Sequence, residues 1–385
     1  MKIRNIVLIF IAAGALGPCG LALAQAVPQQ LVVTGDAAEK IQDYSTINLA
    51  TAERIVETCE EGATAQGGGG HTIMILDKSG NHVYMDRMDG QGYLNIITAE
   101  MKARTALLGR VPSKTYMNEV IRDPNSEFDL LKLGFYPVAG GLPIVVNKQL
   151  IGVVGAGGFR PNPPVWSDEI CAHTALLKVI GPSVPPLIED VPPRQNPNPG
   201  AAPVPRFTPS APPKPNVPAE FVVGGKGAAN VFDGNQIALA SAKKIARVCR
   251  DWAASKNGIM SMYVLDTAGE FVHMERMDGI LPNDLHKALL KAQTSLRSRQ
   301  PTSIGAAQLK NNPAGLVRNT TWFNFFEESG GIPIVVDGQM IGALGVSGGA
   351  GGGDEDCAIQ GLKAAFGDHV TLPVYPAAAG GAEPH

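Results

Sequence analysis

The sequence predicts an α+β fold built as two tandem copies, each an antiparallel sheet covered by helices. Two observations lead to this prediction. Segments about 190 residues apart match one another in order and spacing, which indicates two whole domains and not a solenoid of small repeats. Helical and strand-like patterns also alternate within each copy in the order α-β-β-α-β-β-α, and paired strands between helices are typical of the α+β class.

The duplication is visible in five pairs of segments. They are "NLATAERIVETC" with "ALASAKKIARVC", "MILDKSGNHVYMDRMDG" with "YVLDTAGEFVHMERMDG", "MKARTAL" with "LKAQTSL", "GGLPIVVNKQLIGVVGAGG" with "GGIPIVVDGQMIGALGVSGG", and "DEICA" with "DEDCA". The order never changes, so residues at matching positions of these segments are counterparts, as Arg87 is of Arg276.

The first half of each copy is predicted to be a helix followed by a hairpin. Leu49, Ala52, Val56 and Cys59 recur at helical spacing after Asn48. "TIMILD" and "HVYMDRM" follow as strands, because they are rich in apolar and β-branched residues and are separated by the Gly-bearing turn "KSGN".

The second half repeats this plan after a central helix around "TAEMKARTALLG". An irregular stretch is expected next, and then the hairpin "LPIVV-NK-QLIGVVG", whose counterpart turns on Asp337 and Gly338, a strong two-residue turn signal. A Gly-rich loop leads into the last helix, with Asp168 or Asp354 near its N-terminus; these aspartates are expected as N-caps if the loop serves only as a tight crossing.

The remaining segments divide the chain. Residues 1–25 predict a signal peptide, since Lys2 and Arg4 precede an apolar run and small-residue cleavage sites, with lipidation at Cys19 as the alternative. The copies are expected at 26–180 and 220–370. The linker at 181–219 holds fourteen of the thirty prolines, and a tail follows at 371–385. An exported, periplasmic protein is therefore expected.

Charge and cysteine content narrow the function classes. A net charge of −3 without long basic runs argues against nucleic-acid binding, and no apolar run of membrane-spanning length follows the N-terminal segment. Four cysteines remain in the predicted mature chain, and the duplication favours the disulfides Cys59–Cys171 and Cys249–Cys357 in an exported protein. Four buried thiols are the alternative.

The motifs together resemble those of the GlcG/HbpS-like haem-binding domain family. The resemblance rests on "LD–G––V–––RMDG", "KA–T", "GG–PI–––––IG––G––GG" and "DE–CA", and it covers about 130 residues of each copy. It implies an α+β sheet sandwich, frequent higher oligomers, and haem or corrinoid binding in some members. A Thr near the central helix approaches the iron in some members, which makes Thr105 and Thr294 candidates here.

The repeated "RMDG" supplies the first candidate site residues. Arg87 and Asp89 share one face of a strand end, as do Arg276 and Asp278, because residues two apart point the same way in a strand. Each guanidinium is suited to clamping a ligand carboxylate, which it binds through two hydrogen bonds. The alternative is a structural pair between each Arg and a carboxylate of its own strand.

The Gly-rich loops and one histidine supply the others. Gly345, Ser347, Gly348 and Gly349 precede a helix N-terminus, where free backbone N–H groups favour anions, although a tight strand-to-helix crossing is the alternative. His286 is the candidate iron ligand on the central helix of the second copy, or else a surface histidine. The aromatic stretch "TTWFNFFEE" is expected either to wall a planar-ligand pocket or to contact the other domain.

The sequence thus predicts an exported protein that binds a planar, carboxylated small molecule such as haem, in a binding or sensing role. One alternative is an enzyme acting on a small organic acid or an aromatic catabolite, with Arg276 and Asp278 at its site. The other is a ligand-free structural pseudo-dimer. The ligand is expected in the second copy, because "FRPNPPVWS" lengthens the crossing in the first. The copies are expected to pack as a pseudo-symmetric pair, with homo-oligomers beyond it.

Overall fold

A computed structural model describes residues 27–41, 43–67, 70–159, 166–192, 218–223, 236–310, 312–349 and 353–373. The predicted signal peptide, most of the predicted linker and the end of the predicted tail lie outside these residues. None of the helices in the described ranges has the length and apolar character needed to cross a bilayer.

The elements of the first copy follow one another as predicted, with additions. They are α1 (Gly35–Ile41), α2 (Leu49–Ala65), β1 (Thr72–Asp77), β2 (His82–Arg87), α3 (Leu94–Gly109), α4 (Lys114–Arg122), α5 (Ser126–Lys132), β3 (Gly141–Val146), β4 (Gln149–Gly157) and α6 (Asp168–Val179). Asn48 caps α2 by accepting a hydrogen bond from the backbone N–H of Thr51, 2.8 Å away.

The second copy repeats the series. Its elements are α7 (Leu239–Ser255), β5 (Ser261–Leu265), β6 (Phe271–Arg276), α8 (Pro282–Ser298), α9 (Thr302–Leu309), α10 (Pro313–Trp322), β7 (Gly331–Val336), β8 (Gln339–Ser347) and α11 (Asp354–Phe366). The α+β class is confirmed, and so are both hairpins of each copy. The β7–β8 turn has positive φ at Asp337 (48°) and Gly338 (79°), as a type I′ turn requires.

Two local predictions are wrong. The stretch after each central helix was expected to be irregular and instead forms α4 and α5, or α9 and α10. Asp168 and Asp354 are the first residues of their helices and not the N-caps, which are Ser167 and Gly353. The Ser167 hydroxyl accepts the capping bond from the Ile170 N–H, so the Asp168 carboxylate is available for other partners.

The strands of both copies join into one eight-stranded antiparallel sheet, in the order β3-β4-β1-β2-β6-β5-β8-β7. The two four-stranded halves meet where β2 pairs with β6, and Met85 lies opposite its own counterpart Met274. A pseudo-twofold axis therefore passes through this methionine pair. We call the β2–β6 pairing and the side chains around it the seam.

Helices cover both faces of the sheet. Ile73 and Ile75 of β1 pack with α2 and α6 on one face, whereas Met74 and Leu76 pack with α3 on the other. On the α3 side a single apolar cluster runs across the seam, joining Met74, Met85 and Ala103 to Met274 and Ala292. β1 and most of β4 are buried on both faces, and this explains why these two strands are mostly apolar.

Each copy is closed by one disulfide between its first and last long helices. Cys59 joins Cys171 and Cys249 joins Cys357, with Cα–Cα distances of 5.0 and 4.7 Å. The predicted pairing is confirmed.

The sheet ends in two equivalent edge strands, β3 and β7. Along β7, the Val336–Val370 bridge and the hydrogen bond from the Thr371 N–H to the Val335 carbonyl bring the segment after α11 onto the outer edge.

Candidate functional site

The "RMDG" residues of each copy reach into the other copy at the seam. The Arg87 guanidinium lies 2.7 Å from the Asp266 carboxylate, and the Arg276 guanidinium lies 2.9 Å from that of Asp77. Both arginines are buried, with 5% and 7% of their surface exposed. These are reciprocal contacts, since Asp77 and Asp266 are counterparts at the ends of β1 and β5. Each guanidinium is thus already paired with a carboxylate of the other copy. The clamp for a ligand carboxylate that the sequence suggested stays a prediction.

The aspartates of the motif cap helices of the opposite copy. Asp278 accepts a hydrogen bond of 2.9 Å from the Leu49 N–H at the start of α2, and Asp89 accepts an equal one from the Leu239 N–H at the start of α7. Burial raises the pKa of both carboxyls, and these hydrogen bonds partly offset that effect. All four candidate residues of the motif thus connect the two copies.

A buried lysine lies where the other motifs of each copy converge. The Lys291 ammonium is 2.8 Å from the Asp354 carboxylate at the first turn of α11, and it is 2% exposed. Lys102 makes the same contact with Asp168, also at 2.8 Å. Glycine is required at Gly330 (φ +116°), because a Cβ atom there would lie 2.6 Å from the Val346 carbonyl oxygen. The motifs "KA–T", "GG–PI" and "DE–CA" therefore build one buried ion pair per copy.

The two copies differ around this ion pair. In the first, the His71 ring is buried between Asp168, at 2.9 Å, and the indole N–H of Trp166, at 3.0 Å, and it stacks on Phe159. Burial acts to raise the pKa of the Asp168 carboxyl, but the hydrogen bond from His71 and the charge of Lys102 outweigh it and hold that pKa below its usual range. These aromatic groups close the first site.

The second copy has a polar surround instead. The Glu328 carboxylate, whose side chain is 53% exposed, lies 3.8 Å from the Lys291 ammonium. Glu355 accepts hydrogen bonds of 2.9 and 2.6 Å from the hydroxyls of Ser303 and Ser329. Burial raises the pKa of this carboxyl, with the two hydroxyls partly offsetting the effect.

The candidate glycines serve the crossing from β8 to α11. A Cβ atom at Gly345 would lie 2.0 Å from the Ala288 carbonyl oxygen, so α8 packs directly on the backbone of β8. Ser347 pairs with Ser261 in the sheet, and Gly349 donates its N–H to the Asp354 carboxylate at 3.0 Å. Residues 350–352 of the expected anion-binding loop lie outside the described ranges.

Thr105 and Thr294 are fully buried and fix the segments that follow the central helices. The Thr294 hydroxyl accepts a hydrogen bond of 2.8 Å from the Phe326 N–H, and Thr105 accepts one of 2.7 Å from the Tyr136 N–H. Thr294 thereby sets where the aromatic stretch of the second copy lies.

A surface groove opens beside that aromatic stretch. It has a volume of about 310 Å³, and its lining residues are Ala268, Gly269, Gln293, Leu296, Arg297 and Asn324. The Arg297 guanidinium lies 5.6 Å above the Phe325 ring and 3.2 Å from the Asn324 carbonyl oxygen. Trp322 and Phe323 are 79% and 50% exposed. Aromatic surface therefore adjoins an accessible cation.

The first copy lacks this combination of groups. At the position of Gln293 the first copy has Arg104. The Arg104 guanidinium lies 2.7 Å from the Glu100 carboxylate and close to Gly80. The counterpart of Arg297 is Leu108, which is 60% exposed. Sequence reasoning missed Arg297. Comparison of the two copies could have found it, because an arginine stands in α8 where the equivalent helix α3 has Leu108.

His286 lies on the same exposed side of α8 as Gln293 and Arg297. The spacing is seven and eleven residues, close to two and three full turns. The structure thus separates the predicted site residues. The "RMDG" residues lie at the seam, Thr105 and Thr294 are buried in the first and second copies, the glycines lie along the crossing from β8 to α11, and His286 is on the surface of the second copy.

The four cysteines within the described ranges are all in disulfides. Cys59, Cys171 and His71 place their potential ligand atoms within 4.8 Å of one another, but both sulfurs belong to the disulfide. Cysteine binds a metal as its thiolate, so in the oxidised protein this cluster offers His71 alone and is structural.

Fold and sites together define a fused pair of α+β domains with a surface groove in the second copy. The sequence matches the family described as "Haem degrading protein HbpS-like" over residues 47–176 and 237–363. The chain belongs to this family, with one member domain in each copy.

Similar proteins match one copy at a time. Protein GlcG of Escherichia coli (strain K12) is 33% identical over 106 residues, which are 28% of this chain and 77% of that protein. An uncharacterized 15.0 kDa protein of Citrobacter freundii, from the dhaT-dhaS intergenic region, is 35% identical over 116 residues, which are 29% of this chain and 80% of that protein.

Two solved structures are also similar to single copies. A double mutant of Streptomyces reticuli HbpS is 26% identical, with 43% of this chain and 97% of that chain covered and a TM-score of 0.33. The structure described as a PduOC:Heme complex is 23% identical, with 35% and 97% covered and a TM-score of 0.32.

Proposed function

We propose that this protein binds a planar, carboxylate-bearing tetrapyrrole of the haem type in the groove of the second copy. The observation that carries the proposal is the Arg297 guanidinium above the Phe325 ring at the edge of an open groove. A guanidinium can take a carboxylate through two hydrogen bonds, and aromatic surface takes the flat face of the same ligand. The family description, which names haem, supports the same ligand class.

The chemistry of the donor set fits this ligand. Arg297 supplies the counter-charge for a propionate, and Trp322 and Phe323 supply apolar surface that is exposed without a ligand. His286, an exposed candidate iron ligand, lies three turns from Arg297 on the same side of α8 and outside the residues that line the groove, so the proposed site does not depend on it. Bound haem would contribute iron chemistry, whereas the chain's own residues hold and orient the ligand.

Arg276 is not needed for this site. It is buried at the seam and paired with Asp77, so a ligand carboxylate would have to displace an existing ion pair. The proposed binding or sensing role therefore rests on α8 and on the stretch that Thr294 fixes.

Titration of the purified protein with hemin tests the proposal. We expect a Soret band that shifts and saturates near one equivalent, and Arg297→Gln is expected to weaken binding by about 10-fold or more, as for the loss of a charge-assisted hydrogen bond. Leu108→Gln, at the counterpart position, is the matched control and should bind as the unmodified chain does. An unchanged spectrum rejects haem, and equal loss in both variants rejects the groove.

We also propose export. The two disulfides support an oxidising compartment, in agreement with the predicted signal peptide. Mass spectrometry of the protein from the producing cells should find a mature chain that starts near residue 26, and a chain that retains its first residues in the cytoplasm would contradict the proposal.

A further inference from the structure

The contacts at the seam divide into a symmetric set and an asymmetric set. The "RMDG" contacts are symmetric, because each copy offers the same arginine and aspartate to the other. Two like copies could make them equally well. These contacts therefore hold a pair together without deciding which copies form it.

The asymmetric set lies between α2 and α7, the two helices whose first residues Asp278 and Asp89 cap. The side of α2 that faces α7 is acidic, with Glu53, Glu57 and Glu60. The counterparts of these three residues in α7 are all basic: Lys243, Arg247 and Arg250. The duplicated helix has therefore acquired opposite charge in its two copies at equivalent positions.

These opposite charges meet across the seam. The Lys243 ammonium lies 3.0 Å from the Glu60 carboxylate and 3.0 Å from that of Asp86, while Glu57 lies 3.8 Å away. Arg250 holds Glu53 through two hydrogen bonds of 3.0 and 3.1 Å. Apart from Glu57, which is 39% exposed, these side chains are no more than 19% exposed, so solvent screens the contacts little.

The centre of the seam differs between the copies as well. Tyr84 of β2 has His273 of β6 as its counterpart, and the two rings touch edge to face with their centroids 5.2 Å apart. The His273 ring lies 2.5 Å from the Asp86 carboxylate and 3.5 Å from that of Glu275. Although burial disfavours the imidazolium, the charge of Asp86 raises the pKa of His273 to about 9. The second copy thus brings a third cation.

Pairing of like copies would lose these contacts. In a pair of first copies, Glu53 would replace Lys243 beside Glu60, and Asp86 would face Tyr84 where His273 now stands. In a pair of second copies, Lys243 would face Arg250. Like charges placed together in an interface cost several kcal/mol, enough to suppress wrong partners.

We propose that the seam is a selective interface on which the acidic surface of the first copy accepts only a basic partner of the second-copy type. The fused chain therefore satisfies this interface with its own second half. Any larger assembly of this chain must use other surfaces, such as the outer faces of α3 and α8.

Exchange between halves of the folded chain tests the selectivity. A protease site is introduced within residues 200–205, the folded protein is cleaved there, and isotopically labelled and unlabelled samples are mixed. Native mass spectrometry then counts the pairs. We expect unlike pairs, with mixed labels, to exceed each type of like pair by about 20-fold or more. Like pairs near the statistical proportion would overturn the proposal.

Two variants assign the selectivity to charge. Glu53→Gln with Glu57→Gln and Glu60→Gln should raise pairs of first halves by about 5-fold or more, because their repulsion is removed. Glu61→Gln is the matched control and should change nothing, since Glu61 is largely exposed and pairs with Lys178 of its own copy. No gain in the triple variant would contradict the proposal.

A measurement on the uncleaved chain covers the case in which halves do not exchange. Glu53→Arg alone should lower the unfolding temperature, because Arg250 then faces a like charge. Adding Arg250→Glu should recover more than half of that loss, although Glu275, 3.3 Å from Arg250, limits the recovery. Additive losses in the double variant would overturn the proposal.

Discussion

Substitution of two arginines of the second copy is expected to separate stability from ligand binding. Arg276→Met removes the seam contact with Asp77, and breaking one side of a buried ion pair costs about 3–5 kcal/mol. Asp77 keeps hydrogen bonds of 2.8 and 2.9 Å from the N–H groups of Ser79 and Asn81, so its carboxylate is not left without partners. We therefore expect the lower end, about 3 kcal/mol. Arg297→Met changes an exposed residue and should stay within about 0.5 kcal/mol.

Urea unfolding followed by circular dichroism gives the first quantity, and hemin titration gives the second. Arg276→Met should lower the free energy of unfolding and leave the hemin affinity of the folded protein unchanged, whereas Arg297→Met should do the reverse. A loss below about 1 kcal/mol in Arg276→Met would refute the seam argument. A loss of affinity in Arg276→Met that equals the loss in Arg297→Met would show that Arg276 belongs to the ligand site.

Three further outcomes follow from the fold. Burial disfavours the His273 imidazolium, but the charge of Asp86 outweighs it and raises the pKa of His273 from 6.5 to about 9. A raised pKa favours the folded state at low pH, so stability should fall as the pH rises from 6.5 to about 9, and His273→Gln should flatten the urea midpoint over that range. Cys249→Ser opens a loop of about 100 residues and should lower the free energy of unfolding by roughly 4.7 kcal/mol in the loop-entropy model. Urea unfolding without reductant measures this loss, and an unchanged free energy of unfolding would show that the disulfide does not stabilise the fold. Gly345→Ala should prevent close packing of α8 on β8 and lower the unfolding temperature. Gly92→Ala is the control, because its Cβ atom would meet open space. Equal changes in the two variants would contradict the close approach of α8 to Gly345.

The elements of the fold were predictable because their signals are local. Apolar spacing after Asn48 marks α2, and the turn at Asp337 and Gly338 fixes the register of β7 and β8 without reference to anything distant. The two short helices of each copy were missed, since "PNSEFDLLKLGFYP" has too few regularly spaced apolar residues to suggest them. They form because neighbouring elements pack against them, as Ser113 shows by bonding to Gly141 and Val138.

The arrangement of the site residues was much less accessible. The partners of Arg87 and Arg276 are 179 and 199 residues away in the chain, and only the pairing of β2 with β6 brings them together. Nothing local to "RMDG" indicates that its arginine faces another domain. The convergence of Lys291 with Asp354 depends in the same way on how α8 crosses the sheet. Residue types alone indicated that these positions matter, but not which contacts they make.

The two edge strands of the sheet, β3 and β7, have a consequence for aggregation. Strand addition by a foreign chain can begin only at an edge, because an edge strand offers unpaired backbone groups. The outer edge of β7 is partly occupied by the residues around Val370, which leaves β3 as the more accessible template. Pro143 in the middle of β3 has no N–H to donate, so it interrupts the row of donors that a growing fibril would need. Replacing Pro143 with a β-branched residue would therefore remove a safeguard against fibril growth while leaving the seam untouched.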